Sequence, residues 1–276
     1  EFRRVLFRSR TMKTPLRHFI GLLLAAASST LPAETRPTEI HDRISPSEGH
    51  VNNRVALTLD ACSGAYDEDL VLFLIRNRIP ATLFVTQKWL LQNPQGLAML
   101  KAHLDLFDIE NHGENHIPAV VGAGRHVYGI PGEPDILHLQ REVLQGARAV
   151  ERATGVPPHW YRGATGQYDQ QAADEIRRMG YKIAGFSVNA DAGATLTRQK
   201  IEERLRAVHG GDVIIAHMNK PRSDTAEGLS TGLLDILRRG LVFVRLDQVD
   251  LAMASIVVAL PFVLPLVYFM MKRLSK

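Results

Sequence analysis

Short apolar runs and amphipathic segments alternate along residues 54–250, and this alternation predicts strands and helices in regular order. The apolar runs predict strands at 55–59, 81–86, 106–110, 160–161, 182–188, 213–216 and 241–245. Apolar positions at helical spacing predict helices at 67–77, 94–103, 135–154, 170–179, 198–209 and 225–239. About seven β–α units on short connections indicate an α/β fold, in which helices flank a parallel sheet that closes into a barrel.

The two ends of the chain depart from this pattern. Residues 1–11 resemble a translated cloning or adapter sequence, so they are left out of the predicted fold. A basic start, an apolar stretch and a small-residue cleavage site predict a signal peptide at 12–33. The polar residues 34–53 then predict a linker or extended arm before the domain at 54–250.

At the far end, residues 251–271 are 21 positions without a charge, which as a helix would span about 30 Å. We therefore predict a transmembrane helix there, the alternative being a buried terminal helix of the core. The basic residues 272–276 belong on the cytoplasmic side, which leaves the domain outside. The sequence thus predicts an exported, single-pass protein, tethered to the cytoplasmic membrane on its periplasmic or extracellular face.

The net charge of +4 comes from these ends and not from the domain. Residues 1–11 carry +3, residues 12–33 carry +2 and residues 272–276 carry +3, so residues 34–250 carry −4. An acidic domain gives no support for nucleic-acid binding. Cys62 is the only cysteine, which excludes an intramolecular disulfide.

Ionisable side chains recur where the predicted strands end. In barrels of parallel strands the active site is built from the carboxyl ends of the strands. Five residues at the same structural position therefore form a candidate site: Asp60, His112, Arg162, Asp191 and His217.

His112 and His116 are four residues apart, a spacing that predicts two imidazoles on one face of a helical turn. With Asp60 they offer ligands for a divalent metal ion in an open catalytic site. Zinc is the first expectation, and cobalt, nickel and manganese are the alternatives. Taken without its neighbours, the pair is equally well interpreted as two polar side chains in a loop.

Hydrolysis of an amide or ester also needs a base for water and an acid for the leaving group. His217 is the candidate acid, and a core histidine is the alternative interpretation. Arg162 is expected to orient a carboxylate base or to stabilise developing charge. An ion pair between Arg162 and Asp191 is compatible with that function, because such a pair can tune the base.

These motifs make the chain similar to the polysaccharide deacetylases of carbohydrate esterase family 4, over about residues 54–249. The matching segments are Ala56-Leu57-Thr58-Leu59-Asp60, Ile79-Pro80-Ala81-Thr82-Leu83-Phe84-Val85, Asn111-His112 to His116, Tyr161-Arg162-Gly163-Ala164-Thr165-Gly166, Ser187-Val188-Asn189-Ala190-Asp191 and Ile215-Ala216-His217. The resemblance implies a distorted seven-stranded (β/α) barrel. It also implies removal of N- or O-acetyl groups from glycans with a divalent metal.

The chain departs from the family pattern after Asp60. Family members usually carry two consecutive aspartates there, the first as base and the second as metal ligand, whereas this chain has Ala61 and Cys62. Asp60 aligns with the base; alternatively it turns onto the metal and leaves the base role to Asp191 or Asp67. Cys62 is a third candidate ligand, although we favour a buried thiol with no such role. Two glutamates that flank the histidines are candidate partners for the metal-ligating side chains: Glu110 and Glu114.

The sequence therefore predicts a metal-dependent de-N-acetylase that acts on an envelope or extracellular glycan. Asp60 would accept the proton of water, His217 would protonate the leaving amine, and Arg162 and Asp191 would hold the base. Two alternatives remain open: a pseudoenzyme that binds glycan without turning it over, and a hydrolase of small non-peptide amides.

Overall fold

A parallel sheet forms the centre of the protein. The structure, a computed structural model, describes residues 36–46 and 52–253 of the 276-residue chain. The strands are β1 (Thr38–Glu39), β2 (Asp42–Ile44), β3 (Arg54–Ala61), β4 (Ala81–Val85), β5 (Phe107–Asn111), β6 (Pro118–Ala119), β7 (His126–Val127), β8 (Ile130–Pro131), β9 (Trp160–Tyr161), β10 (Ala164–Tyr168), β11 (Lys182–Ile183), β12 (Val188–Asn189), β13 (Val213–His217), β14 (Val242–Val244) and β15 (Leu251–Met253).

Helices connect most of these strands. They are α1 (Glu68–Arg76), α2 (Gln87–Gln92), α3 (Pro94–Lys101), α4 (Ile136–Thr154), α5 (Gln170–Arg178), α6 (Arg198–Arg206) and α7 (Thr225–Arg238), with a 3₁₀ turn at Leu246–Gln248. Side-chain oxygens cap several helix starts; Asp67 accepts from the Leu70 N–H, and Asp135 accepts from the His138 N–H. These two caps place the starts of α1 and α4 within one residue of the starts predicted at 67 and 135.

The main sheet has the strand order β11-β9-β5-β4-β3-β13-β12, and β14 pairs with the beginning of β3. All of these pairings are parallel, so the predicted parallel α/β arrangement is confirmed. The predicted closure is wrong: in the part of the chain that the structure describes, β11 and β12 do not pair. The sheet is an open half-barrel.

The opening arises because the predicted strand at 182–188 is interrupted. Gly185 donates its N–H to Asp42 Oδ2 at 2.8 Å, and Phe186 donates to the Ile40 carbonyl at 3.1 Å. These partners lie within residues 36–46, the described part of the predicted linker at 34–53, which contains β1 and β2 and packs against the chain between β11 and β12. Sequence periodicity shows no sign of this pairing, because its partners lie more than 140 positions apart.

Alternation along β3 divides the core into two sides. Val55, Leu57, Leu59 and Ala61 pack in the cluster that includes residues of α1, α6 and α7. Ala56 belongs to a second cluster, on the concave side of the sheet, which also includes Phe84, Trp160 and Ile215. Because Thr58 and Asp60 share the register of Ala56, their polar groups meet inside the half-barrel.

The C-terminal segment corrects one further prediction. The membrane helix predicted from residue 251 cannot begin there, because Leu251–Met253 form β15, which is antiparallel to β2. The remainder of that segment, the basic tail, the signal peptide and residues 1–11 lie outside the described residues. Among the helices of the described ranges, none has the length and apolar character needed to span a bilayer.

Glu110 lies on the concave side of β5, where it is 3% exposed. Its Oε2 accepts hydrogen bonds from the backbone N–H groups of His159 and Trp160, at 2.9 and 2.8 Å. Burial, and then the nearby charge of Asp108, raise the pKa of Glu110 to about 8. The carboxylate therefore binds backbone amides and not the imidazoles that it was predicted to support.

Replacement of Glu110 by Gln should weaken the pH dependence of stability. The unfolded side chain ionises near pH 4.5, whereas the folded one keeps its proton to about pH 8. The contribution of Glu110 to stability therefore falls between these values by about 1.4 kcal/mol per pH unit, a loss that Gln cannot show. Urea unfolding at pH 5, 6, 7 and 8 measures this slope. Glu151→Gln, on the exposed side of α4, should behave as wild type; equal slopes for Glu110→Gln and wild type would contradict the prediction.

Candidate active site

An open cavity of about 730 Å³ lies at the carboxyl ends of the central strands. Its wall includes Asp60, Cys62, His116 and His217, and it also includes residues of segments that were not predicted as strands. The latter are Glu39 of β1, Tyr128 between β7 and β8, and Thr165 and Gly166 of β10. The structure therefore brings the predicted strand-end residues to one site.

Asp60 is held at the floor of this cavity by Arg162. Asp60 Oδ1 accepts a hydrogen bond of 2.9 Å from Arg162 Nη1, which also donates to Thr58 Oγ1 at 2.8 Å. Burial alone would raise the pKa of Asp60, but the charges of Arg162, His112 and His217 outweigh it and hold that pKa below its usual value. Asp60 is therefore ionised at neutral pH.

Arg162 is fully buried, and two backbone carbonyls accept hydrogen bonds from the other nitrogens of its guanidinium. Nε donates to Ala184 O at 3.2 Å and Nη2 donates to Gly185 O at 3.1 Å. The guanidinium also lies 4.3 Å from the centre of the Phe84 ring. Its carboxylate partner is thus Asp60, and the ion pair with Asp191 that the sequence left open as an alternative is not formed.

Asp191 instead orients His217, the last residue of β13. Asp191 Oδ1 lies 2.9 Å from His217 Nδ1, and Oδ2 accepts from the His217 backbone N–H at 2.9 Å. Thr225 Oγ1, at the start of α7, donates to Oδ2 at 3.1 Å. Burial lowers the pKa of His217, but the hydrogen bond and charge of Asp191 outweigh it and raise that pKa well above its usual value.

His112 and His116 come together without a helical turn, contrary to the prediction. The chain between them is irregular, with positive φ at Gly113 (90°) and at His116 (64°). The two rings meet edge to face, with 4.9 Å between their centres. Two features require glycine at position 113. Its φ is positive, and a side chain there would collide with the carboxylate of Glu142.

Cys62 completes a group with these two histidines. Its Sγ lies 3.5 Å from His112 Nε2, and one ligand atom each from Cys62, His112 and His116 lie within 4.8 Å of one another. The thiol is partly exposed to the cavity, unlike the buried thiol that the sequence favours. Burial raises the pKa of Cys62, but hydrogen bonds from His112, His116 and His217 outweigh it and hold that pKa well below its usual value.

The donor atoms of this group fit a divalent metal ion. The His112 Nδ1 is 2.6 Å from the Arg162 carbonyl oxygen, a contact that assigns the proton to Nδ1 and leaves Nε2 free to bind a metal. Two imidazoles and a thiol, of which His116 and Cys62 line the cavity, match the ligand types of zinc sites that keep a position open.

Glu142, in the middle of α4, supports the loop that carries His116. Its carboxylate accepts hydrogen bonds from the backbone N–H groups of Asn115 (2.8 and 2.9 Å) and Ile117 (3.2 Å). From the sequence, Glu110 and Glu114 are the predicted supports for the histidines, and Glu142 is not among them. One signal was available: Glu142 stands between Leu139 and Val143 on the apolar side of α4, where an unpaired charge would be costly.

Asp67 has no place at this site. It is buried at the start of α1, where its Oδ1 caps the helix through the Leu70 N–H. Of the carboxylates considered as bases, Asp60 is therefore the one on the cavity wall, since Asp191 is fully buried behind His217.

Comparison with known proteins identifies a family. The family model described as polysaccharide deacetylase matches residues 48–184. No curated protein matches the chain in sequence.

Several solved structures share the fold. A family 4 carbohydrate esterase pseudoenzyme from Bacillus anthracis is 19% identical, with a TM-score of 0.60 over 78% of this chain and 69% of that chain. A peptidoglycan N-acetylglucosamine deacetylase is 17% identical, with a TM-score of 0.62 over 75% of this chain and 90% of that chain. A family 4 carbohydrate esterase from Bacillus subtilis is 22% identical, with a TM-score of 0.56 over 72% of this chain and 80% of that chain.

Proposed function

Because the chain belongs to the polysaccharide deacetylase family, we propose that it is a metal-dependent hydrolase that removes N-acetyl or O-acetyl groups from an envelope or extracellular glycan. One observation carries this proposal. Asp60 and His217 are paired neighbours on β3 and β13, and each is held by its own charged partner beside the two histidines. This arrangement supplies a carboxylate and an imidazole to the same cavity.

His112 and His116 would hold the divalent ion. When bound there, zinc or a neighbouring metal would acidify water and polarise an acetyl carbonyl. The open side of the cavity leaves room for a substrate beside these ligands.

Asp60 is the base of the proposed reaction. Its Oδ1 is occupied by the Arg162 hydrogen bond, so Oδ2 is the oxygen that takes the proton of the attacking water. Arg162 keeps this carboxylate ionised and fixed in direction, because it is itself held by two backbone carbonyls.

His217 is the acid. With Nδ1 bound to Asp191, its Nε2 is the atom that gives a proton to the leaving amine. Asp191 stabilises the protonated ring and fixes its tautomer. The predicted assignment of Asp191 to the base is thus replaced by an assignment to the acid.

The shape of the site supports a glycan substrate over a small amide. Tyr128, at the tip of the β7–β8 hairpin, is 76% exposed and lies on the cavity wall, where its ring offers a flat surface to a sugar. Thr165, Asn219 and Lys220 add polar groups to the same wall. The signal peptide predicted at 12–33 would bring the domain to the compartment where envelope glycans occur.

The second candidate function is glycan binding without turnover. Ala61 stands where the resemblance expects a metal-binding aspartate, and one structural neighbour of similar fold is a pseudoenzyme. This candidate predicts affinity for N-acetylated oligosaccharides without release of acetate.

Acetate release from N-acetylglucosamine oligomers and peptidoglycan fragments distinguishes the two. We expect the zinc-loaded protein to release acetate, the chelated protein to lose this activity, and added zinc to restore it. Sugar binding with no acetate release at any metal concentration would favour the pseudoenzyme and refute the proposed hydrolase.

A further inference from the structure

We infer that Cys62 supplies the third protein ligand of the metal site, in the place where Ala61 offers no ligating atom. The inference rests on the metal site of the proposed function, but it does not depend on the substrate or on turnover. It leaves Asp60 free to act as the base.

The alternation of side chains at the end of β3 directs Cys62, and not Ala61, towards the cavity. Successive residues of a strand point to opposite faces, so residues 58, 60 and 62 share one face and residue 61 takes the other. Ala61 is fully buried in the hydrophobic cluster on the helix side of the sheet. Cys62 returns to the side of Asp60, and both line the cavity.

Backbone contacts fix the thiol in this direction. Thr86 donates its N–H to the Ala61 carbonyl at 3.2 Å and its hydroxyl to the Cys62 carbonyl at 2.5 Å. Thr86 is fully buried at the start of α2, so the end of β3 is held against a rigid element.

The distances fit a shared ion. Tetrahedral zinc with ordinary bond lengths to sulfur and nitrogen places those two atoms about 3.6 Å apart. Cys62 Sγ and His112 Nε2 are 3.5 Å apart, and a ring nitrogen of His116 completes a group within 4.8 Å.

Asp60, the ligand expected from the sequence, is less well placed. Its Oδ1 is held by Arg162. Its Oδ2 lies 3.7 Å from His112 Nε2, but among the described residues the group of mutually close ligand atoms is Cys62, His112 and His116.

A thiolate in this position determines which metal the site prefers. One sulfur and two imidazoles favour Zn²⁺ and Co²⁺ over Mg²⁺ and Mn²⁺, which prefer oxygen ligands. Loss of an outer-shell partner alone typically weakens metal binding by about 10- to 100-fold, so removal of a direct ligand should weaken it by at least about 100-fold.

The experiment uses the purified full chain, stripped with a chelator and loaded with Co²⁺ or Zn²⁺. Because Cys62 is the only cysteine, thiol titration reports on this side chain alone. We expect one Co²⁺ per chain with a near-ultraviolet sulfur-to-cobalt charge-transfer band, and at least about 10-fold slower thiol alkylation when Zn²⁺ is bound. Cys62→Ser should lose the band and bind Zn²⁺ at least about 100-fold more weakly, whereas Cys62→Asp should bind metal without the band. Ser63→Ala, an exposed neighbour on the cavity wall, should keep both properties.

The outcomes separate this inference from the proposed function. Metal that is bound by wild type and lost in His112→Ala, with no sulfur band and unchanged thiol reactivity, would overturn the role of Cys62 and leave the metal site standing. A wild-type protein that binds no metal would overturn both. A band that is lost in Cys62→Ser supports the inference even if no acetate is released.

Discussion

Replacement of Arg162 by Met should destabilise the protein by about 3–5 kcal/mol at neutral pH, because it leaves the carboxylate of Asp60 buried without its partner. Arg162 is fully buried, Asp60 is 4% exposed, and Nη1 and Oδ1 are 2.9 Å apart. Four acceptors of the guanidinium would lose their donor together: Asp60, Thr58, Ala184 and Gly185. Urea unfolding of the chelated protein at pH 7 measures this loss separately from metal binding.

A double variant tests the reason for the loss. In Arg162→Met/Asp60→Asn the uncompensated charge is removed, so much of the stability lost in Arg162→Met should return. Arg78→Met removes an arginine of the same size from an exposed pair with Asp105 and should leave the free energy of unfolding nearly unchanged. If the double variant were as unstable as Arg162→Met, packing and not charge would account for the effect.

The sequence predicts most elements of the fold, because their signals are local. The helices at 67–77 and 135–154 begin at Asp67 and Asp135, whose side chains cap the observed helices α1 and α4. The predictions fail where distant residues decide the structure. Gly185 interrupts a predicted strand because it bonds to Asp42, and Leu251–Met253 pair with β2 instead of continuing as a helix.

The candidate site shows the same division. The strand ends predict which residues come together, since parallel strands place their carboxyl ends at one edge. The partners within the site depend on strand order, which the sequence does not reveal. Because β12 lies beside β13, Asp191 bonds to His217, and Arg162 pairs with Asp60 instead. Cys62 could have been predicted from strand alternation, because it shares a face with Asp60.

The proposed roles of Asp60 and His217 can be separated by the leaving group of the substrate. His217→Ala should lower kcat for deacetylation of N-acetylglucosamine oligomers by about 10²- to 10⁴-fold, because an amine cannot leave without a proton. The same variant should lose far less activity on an aryl acetate, whose phenolate leaves unassisted. Asp60→Asn should lower kcat for both substrates, because the attacking water needs its base in each case.

Matched substitutions outside the site control for general damage. His209→Ala and Asp174→Asn alter exposed side chains, so both should retain wild-type kcat on either substrate.

The different effects expected for His217 and Asp60 depend on the contacts of each residue. Asp191 holds the His217 ring at 2.9 Å, and Arg162 holds the Asp60 carboxylate at 2.9 Å. Asp191→Asn should therefore reproduce the leaving-group dependence of His217→Ala in milder form. If His217→Ala affected the aryl ester as strongly as the amide, protonation of the leaving group would not be its role, and His217 would instead stabilise charge in the attack of water.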